Sequence, residues 1–444
     1  MQQYNSVSRV AGATMIGTAI EYFDNYIYAM AAVLVFNYQF FYSADPMSNQ
    51  LAALSTLALT FIARPLGAAL FGHFGDRIGR KKTFMMSLLL MGISTVTIGL
   101  LPTYQDIGIW ATIGLCLCRI GQGIGLGGEW GGAALVAIEN APQGKRGWFG
   151  TFPQLGAPIG LLAANSVFLL ITYCFGEQAL IDWAWRIPFL SSVILIAIGI
   201  YVRLKLTETP IFLTALETGK THRIPAIEVF TTHFKPFMLG MLLSVAGYVL
   251  FYIMIAFSQI YAKSAPVLSE AGYMTGLGIS PKIFTALLMC SAFSLAVTII
   301  LSGIYIDRIG RRIWLIWTTW GVVAFGFALP LFLENASSVG LFWFLIIGMG
   351  LIGMGYGPLA SFLPELFPTG ARYSGASLAY NCAGILGASV ATLITLQLNA
   401  NYGLSAVGFY LAFNGGLSLL ALWVTQETQQ VSLCADICAE QENA

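Results

Sequence analysis

The 444-residue chain is 57% hydrophobic and only 9% charged, with a mean hydropathy of +0.77 and a formal net charge of +1. Soluble domains carry roughly 25% charged residues. Its 21 basic and 20 acidic side chains therefore cannot cover a globular surface of this size, and the chain must face lipid. A hydrocarbon core about 30 Å thick needs a helix of about 20 residues. On that measure twelve spans are predicted, over 11–37, 51–72, 83–102, 108–138, 148–173, 186–206, 236–262, 282–304, 313–333, 338–361, 375–397 and 404–425. The first apolar run contains Glu21 and Asp24, which the core of a cleavable signal peptide would not tolerate, so no such leader is expected. The fourth span is long and glycine-rich. The longest polar interval, 207–234, reads as a linker between a bundle over 1–206 and a second over 235–427, with 428–444 a short, acidic, mobile tail. Five of the seven cysteines lie in apolar runs and read as small hydrophobes; Cys434 and Cys438 sit in the tail without the partner ligands of a zinc site.

Lys and Arg set the orientation. With both termini inside, sixteen of them fall on the cytosolic side and three, Arg186, Lys263 and Lys282, on the other. The same side holds a repeated loop. Residues 72–82 read GHFGDRIGRKK and residues 303–312 read GIYIDRIGRR, with Gly72 and Gly303, Asp76 and Asp307, and Gly79 and Gly310 each 231 positions apart. A second motif, ExxPxGxR, begins at Glu139 and again at Glu365, at an offset of 226. Polar loops duplicated in the same order predict two parallel, pseudo-symmetric six-helix halves, the build of many transporters. The expected architecture is an all-α membrane protein of twelve transmembrane helices. Positive-inside topology accounts for the basic residues of the loops but not for the recurring Asp and glycines. Asp76, Arg77 and Arg80, with Asp307, Arg308 and Arg311, are therefore expected to form a conformational latch on the cytosolic side.

Five charged residues fall inside spans away from their ends: Glu21, Asp24, Arg64, Arg119 and Glu129. Each costs about 2.5–3.5 kcal/mol at the bilayer centre on insertion scales. All lie in the first half. Glu21 and Asp24 are three apart and share a helix face that Tyr28 continues. Three carboxylates face two arginines, so if each arginine pairs once, one carboxylate remains to bind a proton. Glu21, Asp24 and Glu129 are the candidate proton carriers, with Arg119 modulating them. Arg64 and Arg119 are also candidates for holding an anionic substrate group bidentately. The second half supplies polar residues instead: Tyr248 and Tyr252 in span 7, Tyr356 in span 10, and Tyr380 and Asn381 in span 11. With Tyr28 these are candidates to line a cavity opposite the charges, although a single tyrosine of this kind is more often a packing residue. In span 5, Gly156 and Gly160 of QLGAPIG point to close helix packing.

The motif set carries a family resemblance. GxxxDRxGRRK between spans 2 and 3, repeated between spans 8 and 9, resembles the signature loop of the major facilitator superfamily. RIGQGIGLGGEWGGAALVAIENAP (119–142), IEYFD (20–24), FIARPLGA (61–68) and WRIPF (185–189) resemble the metabolite–proton symporters of that superfamily, which include proline/betaine, 2-oxoglutarate, citrate and shikimate carriers. Asn25 stands where that pattern has an aromatic residue. The tail lacks the long heptad coiled coil of the osmosensing members, which argues against an osmosensory role.

The reading is a secondary transporter, not an enzyme, that imports a small polar metabolite with protons by alternating access. An organic anion or a zwitterion is expected as substrate. No cofactor, metal or nucleic-acid partner is expected. The resemblance implies a bacterial inner-membrane location, with the chain working as a monomer and both termini cytoplasmic. Two rival readings were open. A drug or metabolite–proton antiporter of the same fold would show an acidic, arginine-poor cavity. A membrane nutrient sensor would usually carry a cytosolic output domain, for which the linker and tail are too short.

Overall fold

The computed structural model describes residues 6–42, 46–205, 225–269, 271–334 and 337–430. The side chains of Asp76, Arg77 and Arg80 lie outside the described residues, as do residues 206–224 of the predicted linker and the tail from 431 onward with Cys434 and Cys438.

Apolar runs of membrane-crossing length form helices because a helix alone satisfies its own backbone hydrogen bonds in lipid. In chain order these are α1 (Val7–Ala31, running on through a π-helical segment, Ala32–Phe36), α2 (Pro46–Ile78), α3 (Arg80–Leu100), α4 (Ile109–Glu139), α5 (Arg146–Ala184) and α6 (Arg186–Leu204). The second series is α7 (Phe234–Lys263), α8 (Pro281–Ile309), α9 (Arg311–Leu333), α10 (Ser338–Glu365), α11 (372–402) and α12 (404–424). Among the described residues ten helices pass as spans by length and hydropathy. One of these, Thr369–Val424, is two crossings, broken at Gly403 (φ 78°). The remaining crossing is α1, less apolar because it carries Glu21, Asp24 and Asn25. A turn between α3 and α4 is closed by Asp106, whose carboxylate accepts from both the backbone N–H and the hydroxyl of Thr103 (2.8 Å each). These bonds hold its carboxyl below the usual range.

The two halves repeat in backbone detail. Gly79 and Gly310, in the two copies of the loop, share one conformation (φ 114°, ψ 149° and φ 102°, ψ 147°). Gly176 (φ 86°, ψ 167°) and Gly403 (φ 78°, ψ −179°) break the chain before α6 and α12 in the same way. A side chain is strained at such φ values, which accounts for glycine at all four. α1 and α7 each contain a five-residue π-helical segment, Ala32–Phe36 and Ile253–Phe257.

Large apolar side chains such as Leu66, Ile93, Leu117, Phe293, Trp317 and Phe409 point outward and form the lipid-facing surface. The side chains of Glu21, Asp24, Arg64, Arg119 and Glu129 are all buried. In the first half α4 packs against α2 and α3, and α1 against α5; in the second, α8 packs against α10 and α9 against α12. The glycine run of α4 makes its packing possible. A Cβ on Gly123 would stand 2.8 Å from the Cβ of Ala63, and one on Gly125 2.8 Å from the backbone N of Met91. The halves meet through α2 against α11 and α5 against α8 and α10. Of the predicted linker, the described part forms a short helix, Pro225–Thr231, whose Val229 is buried with Ala68, Phe237 and Leu378.

Candidate translocation site

The charged centre of the first half is built on α1. Asp24, buried, accepts from Ser192 Oγ of α6 (2.7 Å) and from Thr95 Oγ1 of α3 (2.8 Å). A chain continues from there. Gln122 Nε2 donates to Thr95 Oγ1 (2.7 Å), and Arg119 Nη1 donates to Gln122 Oε1 (2.7 Å). The Arg119 guanidinium lies 3.6 Å over the ring of Tyr28, whose hydroxyl meets Thr56 Oγ1 at 2.6 Å. Arg119 Nε and Nη2 are buried without a hydrogen-bond partner.

The pairing differs from the expected three acids against two bases. Neither Arg64 nor Arg119 forms an ion pair among the described residues. Instead Arg203, at the loop end of α6, reaches back into the bundle and pairs with Glu129. Its Nη1 also donates to the Phe84 carbonyl (2.7 Å), and its guanidinium covers the Phe84 ring at 3.6 Å. The sequence reading grouped Arg203 with the cytosolic positive charges, because its position near a span end gives no hint that it points inward. Glu21 lies within electrostatic reach of Glu129, Arg64 and Arg203, and its Oε2 has no hydrogen-bond partner.

Next to this centre a partly open cavity lies between the halves. α1 and α2 supply Tyr22, Asn25, Phe61 and Arg64; α7, α9, α10 and α11 supply most of the rest, including Tyr248, Tyr252, Tyr356 and Tyr380. Among the described residues, Arg64 is its only charged lining residue. The expected lining residues Arg64, Tyr248, Tyr252, Tyr356 and Tyr380 thus come together. Tyr28, Arg119 and Asn381 do not reach the cavity: Tyr28 and Arg119 are packed on each other behind it. Asn381 is spent elsewhere, donating to the Gly127 carbonyl of the other half (3.1 Å) and to the Ser377 carbonyl of its own helix (2.8 Å). Ser244, Thr318 and Thr319, which the sequence does not mark, also line the cavity, as does Asn25, noted in the sequence only for departing from the family pattern. Isolated small polar residues are common in membrane helices and give no signal of their own.

Towards the repeated loops the halves are closed on each other. The Tyr22 and Tyr356 hydroxyls are hydrogen-bonded across the halves. Trp130 stacks on Tyr380 with centroids 3.9 Å apart, and Gln154 Nε2 donates to the Tyr356 carbonyl (2.8 Å). Beyond them Asp307 accepts from the backbone N–H groups of Gly147 (3.0 Å) and Trp148 (3.1 Å), in the first turn of α5. This is a carboxylate at a helix N-terminus. Arg311 stands 3.2 Å from Asp307 and 2.9 Å from Glu365, and Arg146 lies 3.6 Å from Glu365. Of the expected latch residues, Asp307 and Arg311 are in this knot. Arg308 is exposed and makes no ion pair among the described residues. Glu365 and Arg146, which the repeated ExxPxGxR motif had marked but not placed, are members. So is the chain after α12: Glu427 accepts from the N–H groups of Arg311 and Arg312 (3.0 Å each), and Thr428 Oγ1 donates to Glu365 (2.6 Å). The expected mobile tail therefore begins as a bound strap, held because the first turn of α9 leaves N–H groups unpaired for a carboxylate to cap.

Twelve helices in two repeated halves, around one central cavity with buried ionisable groups beside it, define a secondary transporter. The chain belongs to the sugar (and other) transporter family, of the major facilitator superfamily, whose description matches residues 10–435. It is 76% identical to a Haemophilus influenzae protein named for metabolite transport, over 97% of this chain and 96% of that one. It is 48% identical to the inner membrane metabolite transport protein YhjE of Escherichia coli (97% and 96% covered) and 32% identical to the shikimate transporter of that organism (88% and 87%). Among solved structures, the proton:xylose symporter XylE bound to 6-bromo-6-deoxy-D-glucose shares the fold, with a TM-score of 0.76 at 18% identity over 95% of this chain and 96% of that one.

Proposed function

We propose that the protein imports a small polar metabolite, an organic anion or a zwitterion, together with protons. The observation that carries this reading is the adjacency of two features on α1 and α2. Arg64 offers an unpaired cation to the cavity, and a layer of buried carboxylates, Asp24 and Glu21, lies behind the same wall. Asp24 has hydroxyl partners but no arginine, so it takes up and releases a proton without breaking an ion pair. Substrate binds between the halves; protonation of the α1 carboxylate then biases which side is open. In the state seen, the knot around Asp307, Arg311 and Glu365 closes the loop side. Its release is the step that would open the site to the cytoplasm. The positive-inside distribution and the relative named as an inner membrane protein support an inner-membrane location with both termini cytoplasmic. A lone arginine and no acid in the lining count against the proton antiporter alternative.

The test is uptake into proteoliposomes of labelled shikimate, other carboxylates and betaines, with and without an inward proton gradient. Accumulation that requires the gradient supports symport. Uptake that only equilibrates across the membrane, whatever the gradient, refutes it.

A further inference from the structure

The polar atoms of the cavity are divided in a way that selects a chemical class. On the first-half side stand two buried polar groups with unused capacity. Arg64 is 7% exposed, its guanidinium lies 4.4 Å from the Phe61 ring, and its Nε lacks a partner. Asn25 is 8% exposed; its amide sits against the Tyr252 hydroxyl, yet its Oδ1 has no partner. A buried donor or acceptor left unsatisfied costs about 1–3 kcal/mol, more for a charged group. Two such groups facing one cavity indicate that a ligand completes them.

Three aliphatic hydroxyls of the opposite wall have their single proton already used. Ser244 Oγ donates to the Gly240 carbonyl (2.9 Å), Thr318 Oγ1 to the Trp314 carbonyl (3.0 Å) and Thr319 Oγ1 to the Leu315 carbonyl (2.7 Å). Each keeps lone pairs free. These groups and Asn25 Oδ1 present acceptors, which call for hydroxyl or ammonium donors on the ligand, while Arg64 and the unpartnered Tyr248 hydroxyl offer donors to its oxygens.

Charge decides between the two. A ligand carboxylate has one counter-ion, Arg64. A second carboxylate would lack a cation, and a ligand ammonium would lack an anion, since no Asp or Glu is among the lining residues. Burying a second carboxylate without a partner is costly; an ammonium would meet aromatic rings such as Phe61, Tyr248 and Tyr252, but no counter-ion. A quaternary ammonium would also leave every acceptor unused. We infer that the cavity is built for a hydroxylated monocarboxylate: Arg64 takes its carboxylate from the first half, while Asn25 and the hydroxyls of Ser244, Thr318 and Thr319 accept from its hydroxyls. Such a ligand bridges α1 and α2 to α7 and α9, so its binding also ties the two halves together.

This inference rests on the transporter reading, but its test does not need a gradient. Equilibrium binding to the detergent-purified protein is measured for hydroxylated monocarboxylates (shikimate, quinate, gluconate, glycerate), for cyclohexanecarboxylate, and for glycine betaine, proline, citrate and xylose. At least one hydroxylated monocarboxylate should bind tenfold or more tighter than every probe of the other kinds. Asn25→Val, and independently Thr318→Val, should weaken that ligand at least fivefold while leaving cyclohexanecarboxylate within twofold. Arg64→Lys, which keeps the charge but loses the planar fork, should weaken both by tenfold or more. Tightest binding of a zwitterion, a trianion or a neutral sugar overturns the inference, as does binding of none of the hydroxylated acids. Equal weakening of both carboxylates by Asn25→Val and Thr318→Val overturns it as well, reducing these residues to structural roles. Selective binding with no uptake by the same protein in proteoliposomes leaves the inference standing and removes the transporter reading instead.

Discussion

Arg203, at the end of α6, is ion-paired with Glu129 in the interior of the first bundle, with both side chains all but inaccessible to solvent. The pair ties α6 to α4, and Arg203 further holds α3 through the Phe84 carbonyl. Removing one partner strands the other charge, which costs about 3–5 kcal/mol for a buried pair, whereas replacing both by apolar residues of similar volume is often neutral or better. Arg203→Ala should therefore lower the melting temperature of the purified protein sharply, and Arg203→Met combined with Glu129→Leu should restore most of it. A single variant that melts like the wild type would mean that the pair contributes nothing.

Asp24 is the first residue to neutralise in a test of coupling. Asp24→Asn keeps a group that can bond to Thr95 and Ser192 but cannot cycle a proton. It should abolish accumulation against a gradient while exchange of internal for external substrate continues, because exchange needs no net proton movement. Glu21→Gln and Glu129→Gln, assayed in both modes, show whether the neighbouring carboxylates share the role. Gln122→Ala breaks the chain from Arg119 to Thr95 and should shift the pH profile of uptake while sparing exchange. Gradient-driven accumulation by all three carboxamide variants would reduce the charged cluster to a structural element.

The latch can be tested by contrasting neighbours. Asp307 caps α5 and Arg308 is exposed. Losing a carboxylate at a helix N-terminus costs about 0.3–2 kcal/mol. Asp307→Asn should therefore destabilise the closed loop side by that amount, slow turnover, and raise thiol labelling of a reporter cysteine placed in the knot. Arg308→Ala should change none of these. Equal effects of the two variants would mean that the loops act only as topology signals.

Most of the fold was legible in the sequence for a single reason. In lipid, hydrophobic length and Lys/Arg placement are strong constraints, and the repeated loop fixed which spans correspond. The acid-rich face of α1 and the role of Arg64 were legible because a charge in a span is costly and so must be used. The pairing was not. Arg203 sits where a snorkelling or loop-facing arginine would sit, and only packing against Phe84 and Gly17 turns it inward. Thr95, Gln122 and Ser192, which hold the centre together, are uncharged residues whose insertion cost is too small to mark them. Tyr28, Arg119 and Asn381 lie on sequence positions that fit a cavity wall, but the rotation of α1, α4 and α11 directs them elsewhere. The strap formed by Glu427 and Thr428 was invisible because its partners are backbone N–H groups, which every residue offers.

Gly160 sets the distance between α5 and the helix that carries Tyr22, Asp24 and Asn25. A Cβ there would lie 2.7 Å from the Tyr22 Cβ and 2.8 Å from the backbone N of Phe23, closer than van der Waals contact allows. The second of these atoms cannot move unless α1 moves. Overpacking of this kind costs about 1–3 kcal/mol. A Cβ on Gly12, on α1 itself, would have nothing within 4 Å beyond its own stretch of helix, so alanine there should gain helix propensity of up to about 1 kcal/mol. Gly160→Ala should accordingly lower the melting temperature and transport rate together, and Gly160→Val should abolish transport in protein that still reaches the membrane. Gly12→Ala should leave transport unchanged and melt no lower than the wild type. Wild-type transport by Gly160→Val would show that α1 tolerates displacement, and that its polar residues do not depend on the close approach seen here.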